Sequence, residues 1–201
     1  MTRLFVPVLL CSLVGLTTPA MAHAPIMGIG GFLGGVLHAL LVPEHGLSVL
    51  ALGLVLGRQH QPVRRSGELI FITALVGGLI ATALAVGETV AGDVLIGVTG
   101  VLGLLMAAAW MPPALGCALA AVAGVTLALD SPPQVTSVDE AVRMLVGSGV
   151  GAGLGLGLVA EGSVFLRGRA PSLAIRVLGS WVAAIAIMVL AVRIVTRIAI
   201  G

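Results

Sequence analysis

Apolar residues run through this chain in long blocks broken by short polar stretches. Several blocks reach the roughly 20 residues that an α-helix needs to cross a bilayer. They predict about six spans: Pro25 to Gly57, Glu68 to Val86, Val94 to Trp110, Ala114 to Leu129, Asp139 to Leu166 and Leu173 to Ile200. The first holds 33 residues, too many for a simple span at a rise of about 1.5 Å per residue. Pro43 stands in its middle and has no backbone N–H to donate. The spacing predicts a broken helix, with the break at Val42 to His45. Non-helical backbone survives at membrane depth where protein covers it or where it lines a cavity. Glycines 28, 30, 31, 34 and 35 let a second helix approach this segment closely. In the fifth block, Gly147 to Gly157 carries Gly at every second position. That period matches a strand as well as a tightly packed helix, but a lone strand cannot satisfy its backbone in lipid.

The polar interruptions orient the spans. Arg58, Arg64 and Arg65 fall between the first two blocks, in a loop expected over Arg58 to Ser66; Arg167 and Arg169 fall between the last two. Arg-rich loops stay on the cytoplasmic side, which places both chain ends outside. Arg193 and Arg197 disagree, because they would lie near the outer end of the sixth span.

Composition narrows the class. Hydrophobic residues make up 59% of the 201 and charged residues only 9%, against roughly 25% in a soluble domain. The fold class is therefore all-α, a polytopic transmembrane helix bundle of about six spans, the first broken near Pro43. The net charge of +2 suggests no nucleic-acid partner. The partner implied first is the lipid bilayer. Cys11 and Cys117 both lie in apolar runs and suggest neither a disulfide nor a thiolate metal site. Residues 1–22 read as a cleaved signal peptide: Arg3, the apolar core Leu4 to Leu16, and the small-residue site Ala20-Met21-Ala22. Residues 23–201 then form a single transmembrane helical domain with His23 at a mature, periplasmic N-terminus. An uncleaved first helix is the alternative.

The candidate chemistry lies in His38-Ala-Leu-Leu-Val-Pro-Glu44-His45. Ionisable groups at membrane depth are costly and usually functional. Two imidazoles and a carboxylate also suit divalent first-row metals, and they release an ion more readily than thiolates do. On an unbroken helix His38 and His45, seven apart, share a face. Separately, Glu44 suits a first-turn acid at a helix start, and each His a buried neutral side chain hydrogen-bonded to a carbonyl. Further ligands are sought among Glu88, Asp93, Asp130, Glu161 and His23. Glu88, Asp93 and Asp130 fall on the outer side and also suit solvated loop acids. Glu161 suits an ion pair with Arg167 or another inner Arg. Asp139 and Arg143 read as an i, i+4 pair, and His60 as a solvated loop residue.

The run Gly31-Phe32-x-x-Gly35-Val36-x-His38-x-x-x-x-x-Glu44-His45-Gly46-Leu47-x-x-Leu50-Ala51-Leu52-Gly53-Leu54 resembles the first transmembrane motif of the HupE/UreJ proteins. Those proteins have a cleaved signal, about six spans, and His-Pro-x-x-Gly-x-Asp-His in the first. Here Ala39 replaces Pro, Val42 replaces Gly and Glu44 replaces Asp, while the His spacing is kept. Gly87-Glu88-Thr89-Val90 with Gly97 to Leu105 resembles the family's third span. The resemblance implies a nickel or cobalt permease of the bacterial cytoplasmic membrane. Its metal residues would be His38, Glu44 and His45, with Asp130, Glu88 and His23 as weaker candidates. Ni²⁺ or Co²⁺ would be the substrate, with no permanently bound cofactor.

The family's second His motif, in the fourth span, has no counterpart in Gly124 to Pro133, where Asp130 is the only ionisable group. Two readings follow: a permease with carboxylate ligands, or a non-transporting membrane subunit that packs against a partner complex or a second copy. An enzyme is not expected, since His-Glu-x-x-His is absent. No Lys and no phosphate-binding loop are present, so transport would be passive or ion-coupled.

Overall fold

A computed structural model describes residues 30–84, 90–133, 135, 137–165 and 172–200. The expected signal segment, His23 and Glu88 lie outside the described residues, as do Arg167 and Arg169. Seven helices occupy the described residues: α1 (Gly31–Leu41), α2 (Pro43–Gly57), α3 (Gln61–Ala83), α4 (Ala91–Ala108), α5 (Pro113–Leu129), α6 (Val138–Phe165) and α7 (Ser172–Ile200). Four of them, α3, α4, α6 and α7, are long and apolar enough to cross a membrane. Together α1 and α2 make a fifth, bent span, and α5 is a shorter apolar helix of 17 residues. The chain is a multi-pass membrane protein, and its outward-facing Leu, Val and Ile side chains meet lipid rather than water.

The break falls where Pro43 predicts it. α1 and α2 meet at Val42 with a bend of 67°. Val42 is extended, and its N–H still closes the last turn of α1 on the His38 carbonyl at 3.1 Å. Pro43 occupies the first position of α2, where a missing N–H costs nothing. Gly46 permits the fold-back: a Cβ there would lie 2.6 Å from the Leu40 carbonyl oxygen.

α2 is the hub of the bundle and touches all six other helices. Ten of its fifteen residues are buried, among them Ala51, Leu52, Val55 and Leu56 with no exposed surface. The helix carrying the His/Glu sequence is thus the one most enclosed by protein.

α1 lies along the first half of α6 and α2 along the second. Cβ atoms at Gly35 and Gly147 would each come within 2.0 Å of a carbonyl oxygen, of Met144 and of Phe32 respectively. Gly151 faces the Val36 backbone, and Gly155 faces the Leu40 side chain, where a Cβ would lie 2.7 Å from Cδ2. Ser148 Oγ adds a hydrogen bond to the Gly35 carbonyl at 3.2 Å. Gly147, Gly151 and Gly155 are four apart and form one helical stripe, whereas Gly153 and Gly157 face open space. The period-2 glycines therefore serve two faces of a helix, and only one face needs them for close approach.

α3 begins at Gln61, seven residues before the expected start. Arg64 and Arg65 are helical and not part of a loop. Arg64 is buried and reaches Glu161 of α6 (Nη2 to Oε1, 2.8 Å) and Glu68 one turn on (Nε to Oε1, 3.6 Å). The Glu161 partner among the described residues is this Arg64. Its charge explains why the helix can start inside the polar run. His60, just before it, is exposed. Asp139 and Arg143 form the expected i, i+4 pair at 2.5 Å.

Candidate functional site

His38 lies in the last turn of α1 and His45 in the first turn of α2. On a straight helix their separation of seven residues would set them about 10.5 Å apart along the axis. The bend brings the ring centroids to 5.2 Å, edge to face at 74°. His45 is fully buried. Its Nε2 is 3.1 Å from Asp130 Oδ2, at the C-terminal end of α5. A carboxylate oxygen accepts, so Nε2 is the donor in this contact and Nδ1 is the ring's other nitrogen. That Nδ1 is buried and has no hydrogen-bond partner among the described residues.

Glu44 sits next to His45 but turns to a different partner. Its Oε1 accepts from Arg193 Nη2 of α7, and its Oε2 is buried without a hydrogen bond among the described residues. Arg193 Nη1 donates to Asp93 Oδ1 at 3.0 Å, and Arg197, one turn further along α7, reaches Asp93 Oδ2 at 2.5 Å. Glu44 and Asp93 both occupy first turns, of α2 and α4, where the helix dipole favours an anion. Gly92 lets the two groups of charges meet. A Cβ at that position would lie 2.8 Å from Asp130 Oδ1 and 2.9 Å from Arg193 Nη1.

The resulting cluster draws on α1, α2, α4, α5 and α7. It holds three carboxylates (Glu44, Asp93 and Asp130) against two guanidinium groups, with two imidazoles beside them. The structure brings together four of the six sequence-predicted metal residues: His38, Glu44, His45 and Asp130. Their side chains do not converge on one point. Among the described residues, no three His, Cys, Asp or Glu groups stand where they could hold a metal ion together.

Arg193 and Arg197 are the residues that sequence reasoning missed. They stood out only as exceptions to the charge rule for topology. Their i, i+4 spacing in an otherwise apolar block was the available signal, since buried or half-buried charges at such depth require partners.

No family model matches this chain, and no curated protein and no solved structure matches it either.

Proposed function

We propose that the protein is a transition-metal permease of the bacterial cytoplasmic membrane, carrying Ni²⁺ or Co²⁺ inward from a periplasmic mouth at the α1–α2 break. One observation carries the reading: a fully buried imidazole, His45, whose Nδ1 has no hydrogen-bond partner among the described residues and whose other nitrogen meets a carboxylate. Metal-binding histidines characteristically donate their second ring N–H to a carboxylate, which fixes the tautomer and raises the basicity of the ligating nitrogen. Asp130 has this part beside His45. His38, across the break, is the second imidazole, and Glu44 supplies an oxygen. Binding requires Glu44 and His38 to close on His45. A transporter needs such a change, because a rigid preformed cage would retain its ion. Imidazole and carboxylate accept nickel and cobalt and let them go.

Uptake of nickel and cobalt at trace concentration tests the reading, in cells expressing the wild-type chain, His45→Ala or nothing. The expected result is uptake that depends on the chain and falls to background in the variant. Equal uptake in all three strains rejects it.

A non-transporting membrane subunit is the second reading, favoured by the absence of any imidazole from α5. It predicts a stoichiometric partner on purification and no metal-linked effect of His45→Ala.

A further inference from the structure

α7 is attached to the bundle in two different ways along its length. In its first half, Gly179 meets Gly103 and Met106 of α4, where a Cβ would come within 2.7 Å of the Gly103 carbonyl oxygen. Val182, Ala183 and Ala186 are buried there. Arg176 Nε donates to the Ala107 carbonyl at 3.0 Å and closes the far end of α4. Beyond Ala186 no described residue of α7 is buried. What holds that half in register is charge: Arg193 to Glu44 and Asp93, and Arg197 to Asp93.

Resting on the permease reading, we propose that the Arg193 guanidinium is a tethered cation that keeps the metal site closed by occupying Glu44, and that an incoming divalent ion displaces it. Arg193 already sits where a cation belongs, between two first-turn carboxylates and beside Asp130. Its bond to Oε1 holds the Glu44 carboxylate toward α7, where it does not converge with His45 and His38. The exchange is local. When Arg193 leaves, Asp93 keeps Arg197 as its partner, so Glu44 alone changes hands. Arg193 can leave by a change of its own side-chain rotamer, with the end of α7 still held by Arg197 on Asp93. Return of Arg193 to Glu44 then competes with the bound ion and favours its release inward. Arg193 is thus a positioning and gating residue that never touches the metal.

The test compares wild type, Arg193→Gln and Arg193→Lys for initial nickel uptake against concentration. Removing one competing charge-assisted hydrogen bond lowers KM about tenfold in Arg193→Gln. Vmax falls at the same time, because release loses its competitor; Arg193→Lys lies between. An unchanged or raised KM in Arg193→Gln, with wild-type uptake intact, overturns the gating role and leaves the permease reading standing. No uptake by wild type overturns both. A second measurement needs no variant: phenylglyoxal labelling of the purified wild-type protein, read by mass spectrometry. Nickel is expected to raise modification of Arg193 severalfold over Arg197. Protection of Arg193 by nickel, or no change, contradicts displacement.

Discussion

The α1–α6 seam and the outer half of α7 show two ways of fastening helices in lipid. At the seam, Gly35 and Gly147 let backbones approach until a Cβ would sit 2.0 Å from a carbonyl. Lipid offers no hydrophobic force between helices, so close van der Waals contact and interhelical hydrogen bonds carry the association. A contact of that kind is indifferent to ions and tolerates no added atom. The outer half of α7 has no fully buried residue among those described and is held by Arg193 and Arg197. Charges can exchange partners without repacking a core. The seam therefore fixes α1, and with it His38, while the charged end is free to respond to a cation.

The largest effect is expected at the seam. Gly147→Val forces α1 and α6 apart and destabilises the bundle by about 3 kcal/mol or more. Loss of the monodisperse peak in detergent is the readout; a wild-type elution profile would mean that the two helices are not so close. Next comes Gly46→Ala, whose Cβ meets the Leu40 carbonyl and opens the bend between the two histidines. The protein should fold, with nickel uptake reduced up to about 10²-fold by misplaced ligands. Uptake at the wild-type rate would show that the bend does not position the site. Asp130→Asn keeps the shape beside His45 and removes the charge. A 10- to 100-fold loss of apparent nickel affinity is expected, at little cost in thermal stability; an unchanged affinity would separate Asp130 from metal binding. The smallest effect sharpens the contrast within α6 itself. Gly153 faces open space, so Gly153→Ala should raise stability by up to about 1 kcal/mol through helix propensity. Any destabilisation there would mean that this face, too, is closely covered.

Much of the fold was legible because lipid and proline leave few options. Block length located the four long helices and the bent pair, while the expected span Ala114 to Leu129 is a shorter helix; Pro43 located the break at Val42. The clustered residues His38, Glu44 and His45 were legible as ionisable groups in an apolar run, and Asp130 as the one charge left in its stretch. The pairing of Glu44 with Arg193 was not. Those residues are 149 apart in sequence, and they meet only because Gly103 and Gly179 bring α7 against α4. No local pattern records that contact. The start of α3 was misplaced for a related reason. Arg64 reads as a loop residue until Glu161, from a distant helix, neutralises it.

The most direct measurement is nickel and cobalt flux into liposomes holding only the purified protein, as wild type and as His45→Ala. Lipid and protein alone then supply the pathway, without help from cellular partners. The account predicts saturable influx with wild type and background influx with the variant. Influx that is absent from both, or equal in both, would contradict a metal pathway through His45.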